Sequence, residues 1–135
     1  MSLMDMDAVG VEEAIEPIAV VGGEEYELRI VNVKSGTDKN GHDYYMPILE
    51  IANEIAAKEF SYFIGCMGSD MTDKEKNNVR WKISQFCQCF GLSTTGEVDP
   101  ESEWPGNTGF AILGQSESDE YGEQNFIKKL VVPSE

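Results

Sequence analysis

Basic residues are scarce in this sequence. Its 135 residues hold 10 Lys plus Arg against 25 Asp plus Glu, a formal net charge of −15. On the sum alone, so acidic a surface argues against nucleic acid, which is drawn to basic faces. Long apolar runs are missing as well. None approaches the roughly 18 to 20 residues of a membrane span, so no membrane partner is expected. The N-terminus lacks the basic and then apolar pattern of a secretory signal. Cysteine occurs three times, an odd number that makes no disulfide framework. The expected location is therefore the cytoplasm.

Catalytic motifs are equally sparse. His42 is the only histidine, in a polar stretch beside Asp43, with no serine paired to it in a nucleophilic motif. Val21-Gly22-Gly23 precedes a strand pattern rather than a helix, so it is no phosphate-binding loop. The acids of residues 117–120 lack the calcium-loop pattern. Cys66, Cys87 and Cys89 with His42 have the donor types of a zinc set. Cys87 and Cys89, however, lie two apart on a helical stretch, about 200° around it, and cannot both face one ion. Buried structural thiols are the expectation, with no metal, no cofactor and no enzyme.

What is present is an uneven distribution of charge. Residues 1–25 hold seven acids and no base, and residues 97–123 hold eight acids and no base. The remainder carries ten of each sign, with eight of the ten bases in residues 26–82. The whole excess sits in two acid-only stretches. One domain is the expectation at this length: an acidic, flexible N-terminal tail over residues 1–23, in which Ile18 to Val21 could pair as an edge, a folded domain over 24–132, and a short C-terminal end, 133–135.

Within that domain Tyr26, Leu28 and Ile30 alternate with Glu27 and Arg29, the period of a half-buried strand. Val31 and Val33 then fall on the opposite face, as in a strongly coiled first strand of a barrel. Asn40-Gly41 marks a turn. Residues 44–51 resume a strand, with Pro47 pointing to an edge or a bulge. Residues 52–58 read as a loop and the aromatic stretch 60–64 as a third strand. Thr72 and Glu75 form a capping box. Val79, Ile83, Phe86, Cys87 and Phe90 then recur at helical spacing until Gly91, so a helix is expected over residues 72–90. A polar linker follows over 93–105. Two strands, 109–114 and 125–132, make a hairpin around an acidic turn. Three strands, a helix and two strands is the order of a mainly β, five-stranded OB-fold barrel with one α-helix between strands 3 and 4.

Four stretches carry a family resemblance. They are Tyr26-Glu-Leu-Arg-Ile-Val-Asn-Val-Lys34, Phe86-Cys-Gln-Cys-Phe-Gly-Leu92, Gly106-Asn-Thr-Gly-Phe-Ala-Ile-Leu113 and Tyr121-Gly-Glu-Gln-Asn-Phe-Ile-Lys-Lys-Leu130. Over residues 24–132 the chain resembles the phage-encoded single-stranded DNA-binding proteins of the OB-fold type. The resemblance implies sequence-independent binding and protection of single-stranded DNA during phage replication or recombination, in the cytoplasm of a bacterial host. Many single-stranded DNA-binding proteins end in an acidic tail with a terminal aromatic. This sequence ends Val132-Pro-Ser-Glu135 and carries its acidic element at the front, where it is a candidate dock for replication or recombination proteins.

Such binding needs aromatic faces for bases and cations for phosphates. The candidate aromatics are Tyr44 and Tyr45 on the second strand and Tyr62 and Phe63 on the third. Neighbours on a strand point to opposite faces, so about half of these should fill the core. The candidate cations are Arg29, outward on the first strand, Lys34 and Lys39 around the first hairpin loop, Lys58 at the start of the third strand, and Lys128 on the last. Lys74, Lys76, Arg80 and Lys82 read as the ordinary polar back of the helix. The apolar edge over residues 127–132 could pair with a second copy as a homodimer. The competing reading is an acidic protein-interaction module or DNA mimic that docks on a nucleic-acid enzyme.

Overall fold

The computed structural model describes residues 3–120 and 122–133. Tyr121 of the fourth motif, the two N-terminal residues and the last two residues of the C-terminal end lie outside it. A short helix α1 (Met6–Val9) and a single 3-10 turn (Val11–Glu13) come first. Then follow β1 (Glu25–Thr37), β2 (Asp43–Ile51), β3 (Phe60–Ser61), β4 (Ile64–Gly65), α2 (Asp73–Phe90), α3 (Pro100–Glu103), β5 (Thr108–Ser118) and β6 (Gly122–Val131). Among the described residues no helix is long and apolar enough to cross a membrane.

All six strands belong to one antiparallel sheet. Its path is β3-β2-β1-β5-β6, with β4 also paired to β2. The fold is mainly β, as expected, with two corrections. The sheet does not close into a barrel: β3 and β6 approach each other but share no ladder. The main helix lies between the fourth and fifth strands, because the single strand expected over 60–64 is two pieces.

Pro47 explains that break. β3 pairs Ser61 with Ile48, and β4 pairs Ile64 with Tyr45, which leaves Tyr62 and Phe63 opposite Pro47 and Met46. Pro47 accepts from the Tyr62 N–H through its carbonyl at 3.0 Å. It has no N–H to return. The ladder lapses for two residues and resumes at Ile64.

The change of buried face expected along β1, with Val31 and Val33 opposite Leu28 and Ile30, does not occur, and the reason is local. Ile30 pairs with Leu49 and Asn32 with Ile48, so Val31 is an extra residue. This β-bulge re-phases the strand. Val31 stays outside, and Val33 joins Leu28 and Ile30 in the core.

Helix α2 is built as its sequence dictates. The Glu75 N–H donates to Thr72 Oγ1 and the Thr72 N–H to Glu75 Oε1, both at 3.1 Å. Gly91, at φ +68°, takes the left-handed conformation that ends the helix. Its apolar stripe buries Phe86, Cys87, Cys89 and Phe90 in one core with Leu28, Ile30 and Leu49 of the sheet. The expected linker contains α3, whose C-cap Trp104 is 5% exposed and plugs the core against Phe86.

The open side of the sheet is spanned by residues 18–23. The Ile18 N–H donates to Ala56 O, and Ile18 O accepts from the Lys58 N–H. Val20 bonds to the Asn125 amide, and the Gly23 N–H reaches Leu113 O. This strap links the β2–β3 loop to the β5–β6 hairpin where the strands do not.

Candidate nucleic-acid interface

Alternation on β2 decides which aromatics are available. Pro47, Leu49 and Ile51 are buried and Tyr45 packs on the core. Tyr44, Met46, Ile48 and Glu50 therefore face outward. Residues directly opposite across a ladder share a face. This adds Lys34 opposite Met46, Gly36 opposite Tyr44 and Ser61 opposite Ile48.

Tyr44 and Phe63 pack together on this outer face, their rings tilted by 31° with centroids 5.2 Å apart. Phe63 is 45% exposed, although it is large and apolar. Tyr44 lies across Gly36: a Cβ there would come within 2.6 Å of the tyrosine hydroxyl, so the close approach requires glycine.

Tyr62, next in the chain, turns the other way. Its ring stacks on buried Phe86 at 5.4 Å and 11°, and burial raises its phenol pKa above the usual 10.0. Tyr45 lies 6.4 Å from Trp104. The two rings help wall an apolar pocket of about 460 Å³.

The cation that joins the rings is Lys82. Its ammonium lies 4.6 Å from the Tyr62 ring centroid and 5.9 Å from that of Phe63, within or near cation–π range. Partial burial lowers its pKa from the usual 10.5. Among the described residues the ion pairs are Arg29–Glu50 and His42 with Asp38 and Asp70, so Lys82 has none.

The expected cations divide. Arg29 is outward on β1 but neutralised by Glu50 across the ladder. Lys58 is turned to the seam, where its ammonium donates to Glu123 O at 2.9 Å. Lys34 and Lys39 are exposed on β1 and in the β1–β2 turn, and Lys128 is exposed on β6. Lys34 shares the outer face with Tyr44 and Phe63, whereas Lys128 lies across Tyr62, near Trp81.

Beside Phe63 the β1–β2 turn is anchored. His42 Nε2 donates to Asp70 Oδ1 at 2.6 Å, and Nδ1 lies 3.8 Å from Asp38. The hydrogen bond to Asp70 raises the His42 pKa and lowers that of Asp70.

Sequence reasoning missed Lys82 and Phe126. Lys82 stands one helical turn before Phe86, at the border of the buried stripe, and that spacing is the signal that could have found it. Phe126 is 45% exposed and lines a cleft with Ile48 and Ser61. The cysteines are unpaired thiols, and burial raises the pKa of each. No protein-family model and no curated protein matches the chain.

Proposed function

We propose that this chain binds single-stranded DNA without sequence preference, through the outer face of β1, β2 and the broken strand β3–β4. Bases stack on Tyr44 and Phe63, and Lys34 and Lys82 meet the phosphates. The observation that carries the reading is the partly exposed, tilted Tyr44–Phe63 ring pair, with an ammonium beside it that has no ion pair among the described residues, on a chain with so few bases. The sheet path supports it further. With β3 and β4 counted as one interrupted strand, the order is that of an OB fold, whose second and third strands form the usual binding face. OB barrels are commonly part-open, and here the strap of residues 18–23 spans the gap. The resemblance to phage-encoded single-stranded DNA-binding proteins supplies the setting, phage DNA replication or recombination.

The test is a titration with oligo-dT at low salt, followed by protein fluorescence. Binding should quench emission and weaken as salt rises, with a slope of about 0.7 per phosphate contact. Tyr44→Ala and Phe63→Ala should each weaken binding by about 5- to 150-fold, the range of one lost stacking contact. A folded protein that binds no oligo-dT at low salt refutes the reading.

A further inference from the structure

A second cleft, of about 380 Å³, opens on the other side of Tyr62, between α2 and β6. Its lining includes Tyr62, Trp81, Lys82, Lys128 and Lys129 and, among the described residues, contains no carboxylate. Three of the chain's ten bases thus share one cleft on a protein of net charge −15.

Two features build the site. Adjacent strand residues ordinarily point to opposite faces, yet Lys128 and Lys129 both line this cleft. The register explains it. Ile112 pairs with Lys129 and Leu113 with Ile127, so Lys128 is the extra residue of a β-bulge. Bulges re-aim side chains in this way. The second feature is Trp81. It lies off the buried stripe of α2 and is 65% exposed, leaving an indole face in water beside the cations.

We propose that this cleft holds a further stretch of the same single strand, with a base stacked on Trp81 and phosphates on Lys128 and Lys129. This rests on the function proposed above and extends the footprint from the sheet to α2. A flat aromatic surface beside cations, with no acid among the described lining residues, is complementary to a nucleotide, which brings a π-face and an anion together. Lys82 is the link. Its ammonium contacts Tyr62 in this cleft and Phe63 on the sheet face, so a strand leaving the Tyr44–Phe63 pair passes it on the way to Trp81. Partial burial already disfavours the charged form of Lys82, and an arriving phosphate would supply the missing counter-charge.

The experiment compares two oligo-dT lengths on the full chain, about 4 and about 16 nucleotides, the span of site sizes for one OB fold. Trp81→Ala should weaken the longer strand by about 5- to 150-fold while sparing the shorter one, which the sheet face alone can hold. Trp81→Phe should restore most of the loss. Replacing Lys128 and Lys129 together by Gln should lower the salt slope for the longer strand by about 0.7 per lost contact. Tyr44→Ala should weaken both lengths.

If Trp81→Ala and the double Gln variant leave both lengths unchanged while Tyr44→Ala weakens them, the cleft is overturned and the sheet-face function stands. If wild-type protein binds neither length, both fall. A synthetic peptide of residues 3–17 that binds wild type but not Trp81→Ala, with DNA affinity unchanged, overturns the proposal in favour of the chain's own acidic segment. A dimer that Trp81→Ala converts to monomer by light scattering, again with DNA affinity unchanged, overturns it in favour of a second copy.

Discussion

Asn125→Ala tests how the open side of the sheet is held. Asn125 is 5% exposed on β6. Its amide oxygen accepts from the Val20 N–H at 2.8 Å, and its amide nitrogen donates to Val20 O and Gly114 O, both at 3.0 Å. The alanine variant loses all three bonds. A typical intramolecular hydrogen bond contributes about 1 kcal/mol net, and a buried partner left unsatisfied costs more. Val20 is only partly buried, so water can reach its groups, whereas the Gly114 bond is fully enclosed. The expected loss is about 2–3 kcal/mol, which is a fall in Tm of about 6–15 °C for a domain of this size. Urea unfolding should show a lower midpoint with an unchanged slope. The control is the same substitution in a chain lacking residues 1–20, where only the Gly114 bond remains to be lost and the cost should shrink to about 1 kcal/mol. A full-length loss below about 0.5 kcal/mol, or an undiminished loss in the shortened chain, refutes the strap as the element that Asn125 holds.

His42 gives a pH signature. Its folded pKa lies above 6.5, chiefly through the hydrogen bond to Asp70. Its contribution is therefore fully present below pH 6.5 and is lost as pH rises through the raised folded value. Asp70, lowered from 3.8, contributes above that value and loses its part as pH falls through the depressed one. Asp70→Asn should flatten both limbs of the urea midpoint plotted against pH, and an unchanged profile refutes the pairing. Phe86→Ala should cost about 3–5 kcal/mol in urea unfolding, because Phe86 is fully buried against Tyr62, Phe90 and Trp104. A loss below about 1 kcal/mol would mean that these rings do not form the centre of the core.

Local signals were legible in the sequence wherever a local cause governs. The capping box, the apolar stripe and Gly91 define α2 because every partner involved lies within a turn or two. The strand patterns of β1, β2 and β6 follow for the same reason. What escaped depends on partners distant in the chain. The missing Pro47 N–H divides a distant strand at Tyr62 and Phe63, and only the pairing register reveals that the two face each other. The edge pairing expected over residues 18–21 is made at Ile18 with Ala57, but the hold of this segment on Asn125 and Leu113 of the far hairpin has no local signal. The face taken by Lys128 follows from the bulge against β5, which neither strand announces by itself. Lys82 reads as polar helix surface until Tyr62 and Phe63 are brought beneath it.

The acidity of the chain also acquires a spatial meaning. Some of the bases are already engaged: the Glu50 carboxylate holds Arg29, and the Glu123 main-chain carbonyl accepts from Lys58. Among the described residues, the bases left without an ion pair include Lys34, Lys82, Lys128 and Lys129, which lie with Tyr44, Phe63, Tyr62 and Trp81. The acid-only stretches fall on α1 and its 3-10 turn, on α3 and on the β5–β6 turn, rather than on one ordered face. A DNA mimic needs carboxylates arrayed on a rigid surface like phosphates, and this scattering disfavours that reading. At about 0.1 M salt, charges more than about 10 Å apart are largely screened. The distant acids then act mainly on the rate of encounter, while the lysines beside the rings act at contact distance. The proposed binding of a polyanion to this face is therefore compatible with the net charge, and salt should weaken it readily.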